Sequence, residues 1–148
     1  MARAPATGVL FVCLGNICRS PLAEGVFRAE LARRGLEGSF RVDSCGTGGW
    51  HVGEPPDPRS TEVAARHGVD IAGQRSRKLS NDDYAEFDWL VAMDRNNARD
   101  ILARKPSGAT CQVVQFMDHV PSAPGPDVPD PYYGGPGGFG GGLHARGL

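Results

Sequence analysis

The sequence predicts an α/β layered domain with a doubly wound sheet, on three observations. Four apolar runs of strand length lie at residues 8–13, 40–44, 89–93 and 111–116. Each run is nearly continuous rather than alternating, as expected of strands buried on both faces of a parallel sheet. Segments with helical spacing of apolar residues fall between the runs, and alternating strand and helix is the order of an α/β domain. At 148 residues the chain has the length of one domain with an ordinary core.

The elements follow in order. The first run delivers Cys13 to the carboxyl end of its strand, where ligands bind in sheets of this kind. Ser20 and Pro21 suit the N-cap and first position of a helix carrying Leu22, Ala23, Val26, Phe27 and Leu31, with Gly35 as its stop. Asp57-Pro58 opens a second helix, which Gly68 ends. Asp94 suits the N-cap of a third, running to near Arg104 ahead of Lys105-Pro106. Arg75-Ser76-Arg77-Lys78 reads as a solvated charged face, with attraction of anionic peptides as the alternative. There are no internal repeats.

Composition narrows the function classes. The net charge is −1 and the pI near 6.4, so no general attraction to nucleic acid or to an anionic membrane is expected, and any affinity for phosphate must be local. No apolar run approaches the length of a membrane span. Met1-Ala2-Arg3 ahead of residues 9–14 has the outline of a signal peptide. The stretch is too short and runs into Gly15-Asn16, so a cytoplasmic location is expected. The cysteines, Cys13, Cys18, Cys45 and Cys111, do not suggest a secreted disulfide scaffold. No C-x2-C pair or His/Cys cluster has metal-ligand spacing, so neither metal nor cofactor is expected.

The chemistry concentrates at Cys13-Leu14-Gly15-Asn16-Ile17-Cys18-Arg19, a cysteine and an arginine separated by five residues, with Ser20-Pro21 opening a helix behind them. This is the spacing of a phosphate-binding loop built around a thiolate. Backbone N–H groups of Leu14 through Arg19 and the helix N-terminus can cradle an anion, and the planar fork of Arg19 can hold two phosphoryl oxygens. The same positive field favours the thiolate of Cys13, the reactive form. Asn16 suits a strained, left-handed position in the loop. Ser20 either donates to the Cys13 thiolate or caps the helix, and its hydroxyl can turn between the two.

Val12 through Pro21, taken whole, resembles the signature of the low-molecular-weight protein tyrosine phosphatases, and Asp130-Pro131-Tyr132-Tyr133-Gly134 resembles that family's Asp-Pro general-acid loop. Asp43-Ser44-Cys45-Gly46-Thr47, Trp50 and Met93-Asp94 fall where the family carries related segments, so the resemblance spans residues 8–135. It implies a four-stranded parallel sheet. It also implies hydrolysis of phosphotyrosine, or of a small aryl phosphate, through a phosphocysteine intermediate. In that mechanism Cys13 is the nucleophile, Arg19 grips the equatorial oxygens, and Asp130 is the acid that protonates the leaving oxygen and later the base for water. An unperturbed Asp titrates near pH 4, so a nearby anion must keep it protonated, and an acidic activity optimum is expected.

By the same resemblance Ser44 and Asn97 anchor the loop through Asn16, and Asp94 orients Arg19; as a helix N-cap Asp94 would be purely structural. Cys18 is implied to form a reversible disulfide with Cys13, the alternative being a small residue that fills a tight loop. Trp50, Tyr132 and Tyr133 are either walls that stack on the substrate ring or anchors that pin loops.

The domain is expected over residues 1–133, followed by a Gly-rich tail at 134–148, in which eight of fifteen residues are glycine. A stable helix is not expected there. The family continues into an amphipathic helix at this point, so the C-terminal helix is expected to be missing and part of the sheet left uncovered. The protein is expected to be a monomer or weak homodimer. The rival readings are arsenate reductase on the same fold and a phosphate-binding module without turnover. The first needs two further redox cysteines, and Cys45 and Cys111 lie far apart in sequence, in predicted strands.

Overall fold

A computed structural model describes residues 6–116 of the chain. Asp130, Tyr132, Tyr133 and the Gly-rich tail lie outside the described residues, as does the expectation of a missing C-terminal helix. Four strands form the sheet: β1 (Thr7–Cys13), β2 (Phe40–Gly46), β3 (Trp89–Ala92) and β4 (Gln112–Gln115). All three pairings are parallel and the order is β2-β1-β3-β4, so β1 is central. Among the described residues four α-helices connect or flank them, α1 (Arg19–Arg33), α2 (Pro58–Arg66), α3 (Asp83–Glu86) and α4 (Arg95–Arg104), with a 3-10 turn (Glu37–Ser39) ahead of β2.

The apolar run of β1 is continuous because both of its faces are covered. Leu10 and Val12 pack with Tyr84, Leu90, Ala92, Ala98 and Ile101 on the α4 side. Val9, Phe11 and Cys13 pack with Ala23, Phe27, Leu31 and Val42 on the α1 side. Leu10, Leu90 and Ile101 are completely buried, each removal from water contributing about 1.5–3 kcal/mol. Along the outer side of α1, Leu22 meets Val63, Ala64 and Ile71. A Cβ on Gly25 would lie 2.4 Å from the Ile71 side chain, so the helix approaches this layer too closely for a larger residue.

Helix ends follow local signals. Asp57 caps α2 through the Arg59 N–H at 2.8 Å, and Pro58 takes the first position, where its missing N–H costs nothing. Asp94 caps α4 through the Asn97 N–H at 2.7 Å. Gly35 and Gly68 follow the ends of α1 and α2 at φ 69° and 75°, in the left-handed region that glycine enters without strain. The start of α1 differs from the sequence expectation. The helix begins at Arg19 with Cys18 at the N-cap and no side-chain cap bond, while Ser20 lies inside the first turn. Its hydroxyl is directed to Cys13 instead.

In the Arg75–Lys78 cluster Arg75 and Lys78 are exposed, as a solvated face requires, but Ser76 is buried and Arg77 half-buried. Arg77 forks onto Asp83 at 2.9 and 3.0 Å and reaches Asp43 at 2.9 Å. Burial opposes its charge, but the bonded Asp83 carboxylate and neighbouring Asp43 hold its guanidinium above the ordinary arginine range. Segment 76–79 runs beside the end of β2, with the Gly46 N–H donating to the Arg77 carbonyl and the Leu79 N–H to that of Gly46.

Candidate active site

Cys13 ends the central strand and is buried, and the chain then turns through residues 14–18 into α1. The turn is held open by donors that pull its carbonyls outward. The Thr47 N–H takes the Cys13 carbonyl, the Gly48 N–H that of Leu14, and the Ser76 hydroxyl that of Gly15, each at 2.9 Å. The Asp57 N–H takes the Ile17 carbonyl at 2.7 Å. With the carbonyls turned away, the N–H groups of Leu14, Gly15 and Ile17 have no protein acceptor among the described residues. A loop of outward carbonyls at a helix N-terminus is an anion-binding nest.

Asn16 is the only non-glycine described residue with positive φ, at 57°, and it is buried. Three side-chain hydrogen bonds hold it there: Nδ2 donates to Ser20 Oγ at 2.9 Å and to Ser44 Oγ at 3.0 Å, and Oδ1 accepts the Arg77 N–H at 3.0 Å. Its own N–H points to Cys13 Sγ at 3.2 Å, and Ser20 Oγ stands 2.9 Å from the same sulfur.

Arg19 is buried, and Asp94 Oδ2 holds its Nη1 at 2.9 Å. Asp94 therefore fills both roles that the sequence left open, one carboxylate oxygen on the arginine and the other on the first turn of α4. Ser44 sits beside Asn16 as expected. Asn97 is buried in that first turn, but no hydrogen bond joins its side chain to Asn16 among the described residues. The Arg77 backbone makes the contact instead.

Cys18 is buried in the loop, as are Cys13, Cys45 and Cys111 in the fold, and no disulfide joins them among the described residues. Leu14 and Trp50 are exposed and line a shallow groove with Gly48, Lys78 and Arg104. The indole lies against Gly48, where a Cβ would come within 1.9 Å of the ring. Arg104 bonds the Thr47 carbonyl at 2.7 Å, tying α4 to the segment beneath the loop.

Sequence reading did not single out Glu24. It is buried in α1, accepts from Ser44 Oγ at 2.7 Å and pairs with Arg28 at 2.8 Å. Its i,i+4 spacing to Arg28 is the only local signal, and that spacing is common on any helix.

A family model for low molecular weight phosphotyrosine protein phosphatase matches residues 8–141. A Schizosaccharomyces pombe protein described as a low molecular weight phosphotyrosine protein phosphatase is 51% identical over 133 residues, covering 89% of this chain and 85% of its own. The low molecular weight protein-tyrosine-phosphatase YfkJ of Bacillus subtilis is 44% identical over 127 residues, covering 86% and 81%. The crystal structure of a protein tyrosine phosphatase from Entamoeba histolytica, with Hepes in its active site, superposes with a TM-score of 0.85 at 36% identity, covering 90% and 85%. With its loop geometry and parallel sheet, this chain belongs to the low molecular weight phosphotyrosine protein phosphatase family.

Proposed function

We propose that this protein hydrolyses phosphotyrosine and other aryl phosphate monoesters through a phosphocysteine intermediate. The observation that carries the reading is the loop itself, a buried thiol facing one N–H and one hydroxyl at the floor of a nest whose carbonyls are turned outward. The Cys13 thiolate attacks phosphorus in line, the ester oxygen leaves, and water then releases phosphate from the sulfur. Arg19, held at one end by Asp94, meets the equatorial oxygens in both steps. Asp130 protonates the leaving oxygen and then takes a proton from water. Leu14 and Trp50 wall the aryl ring of the substrate, and the same role is assigned to Tyr132 and Tyr133.

Redox control by Cys18 belongs to the same proposal. Peroxide would convert the Cys13 thiolate to a sulfenic acid. The Cys18 thiol would displace water from it to close a disulfide, and a dithiol would reopen the bond. A cytoplasmic monomer or weak homodimer, with no nucleic-acid or membrane partner, completes the reading. Among the described residues no helix is long and apolar enough to cross a membrane.

Arsenate reduction is less well supported. Cys45, in strand β2, is completely buried, which pushes its thiol well above the usual range, and Cys111 lies in the same core cluster. Turnover of p-nitrophenyl phosphate and of a phosphotyrosyl peptide should be measured across pH 4–8, beside arsenate with thioredoxin. Phosphatase activity with an acidic optimum, abolished in Cys13→Ser, is expected. Equal rates for wild type and Cys13→Ser would overturn the mechanism, and turnover of arsenate alone would favour the rival.

A further inference from the structure

The buried polar contacts around Asn16 form one chain whose direction is fixed at both ends. At one end the donor is the backbone N–H of Arg77, 3.0 Å from Asn16 Oδ1. A backbone N–H can only donate, so the Asn16 amide must present oxygen to it and its NH₂ to the two serines. At the other end Glu24, paired with Arg28, presents carboxylate oxygens that only accept. Ser44 must therefore give its single hydrogen to Glu24 at 2.7 Å and accept from Asn16 at 3.0 Å. Asn16 spends its second N–H on Ser20 at 2.9 Å. That leaves Ser20 with one hydrogen, and its nearest acceptor is Cys13 Sγ at 2.9 Å, against 3.4 Å for the Cys45 carbonyl.

We propose that Glu24 is a positioning residue for the reaction proposed above. By claiming the Ser44 hydrogen, it locks the Asn16 amide and commits the Ser20 hydroxyl to donating toward Cys13. Were the amide to flip, its oxygen would face the lone pairs of Ser44, and its NH₂ would face the Arg77 N–H. Both ends oppose that state, and removing Glu24 releases one of them. The donated hydrogen stabilises the thiolate in both steps, as nucleophile and again as leaving group when water attacks the phosphocysteine. The inference rests on the phosphocysteine reading. Loss of turnover in Cys13→Ser tests that reading separately.

The test is a cycle of Glu24→Leu, Ser44→Ala and the double variant, each with a thermal melt to verify folding. The readouts are kcat and KM for p-nitrophenyl phosphate and the pH profile of inactivation by iodoacetate. Glu24→Leu is expected to lower kcat about tenfold, the effect of one lost hydrogen bond to a charged group, with KM nearly unchanged. The acid limb of its inactivation profile should move to higher pH. In the Ser44→Ala background the same substitution should have little further effect, because the link is already cut. An equal loss in both backgrounds, or a loss with an unmoved inactivation profile, would overturn the proposal. If Glu24→Leu does not fold, Glu24→Met replaces it, a side chain of similar length with no oxygen to accept the Ser44 hydrogen, with the same coupling to Ser44→Ala required.

Discussion

The buried residues around the loop divide between one that reacts and several that hold. Asp94 does two physical jobs with separate oxygens, so its substitutions should separate them. Asp94→Asn keeps an acceptor for the Asn97 N–H but removes the charge opposite Arg19. A fall of about tenfold in kcat/KM with little change in melting temperature is expected, since the amide keeps its one oxygen on the Asn97 N–H, turns its NH₂ toward Arg19 and so loses the charge-assisted bond. Asp94→Ala loses the cap as well and should cost about 1 kcal/mol of stability in urea denaturation. Equal stability of the two variants would refute the capping role.

The same scale shows what the sequence could and could not disclose. Cysteine, arginine and the left-handed asparagine were legible because the loop is contiguous and its constraints are local. Arg77 was not, since Asp43 lies 34 positions before it, and only the fold brings that carboxylate near. For Ser20 the sequence offered two places, the helix cap and the Cys13 sulfur. The hydroxyl lies 2.9 Å from the sulfur and caps nothing, which only the position of the helix start could decide.

At the scale of elements, the loop depends on close backbone packing at the end of β2. A Cβ on Gly46 would lie 2.6 Å from the Leu14 carbonyl oxygen and 3.1 Å from the Asn16 nitrogen. Backbone on both sides cannot yield as a side chain would. Gly46→Ala is expected to destabilise by about 1–3 kcal/mol and to lower activity at least as much as loss of a single loop bond, with denaturation and p-nitrophenyl phosphate assays as the checks. Strand and helix positions were mostly legible, because the central strand is apolar throughout and the helices carry Asp, Pro and Gly at their ends. The four-residue helix α3 was not, being too short to show a period. It contributes through Asp83 and Tyr84, which reach Arg77 and the end of α4.

For the molecule as a whole, Tyr84 ties α3 to α4 by donating its hydroxyl hydrogen to the Ile101 carbonyl at 2.7 Å. Burial raises its phenol to about 12. The unfolded chain ionises this group near pH 10 while the folded one keeps it neutral. Its contribution is therefore complete below pH 10 and lost as the pH rises toward 12. Tyr84→Phe should cost about 1 kcal/mol at neutral pH by leaving the Ile101 carbonyl unmet, and should flatten the loss of stability between pH 10 and 12. Urea denaturation followed by circular dichroism at pH 7, 10 and 11 measures both.

The central place of β1 also bears on how the protein is made. Its neighbours are β2, ending at Gly46, and β3, ending at Ala92. Synthesis of the 46 residues between those ends takes roughly 2–9 seconds at ordinary elongation rates. Throughout that interval a growing chain carries Cys13 on a strand with one open edge. Arg19 still lacks Asp94, and until residue 77 emerges Asn16 lacks its backbone donor. The nascent chain holds the reactive thiol but not the machinery around it, so competence waits for the third strand and for residues beyond it.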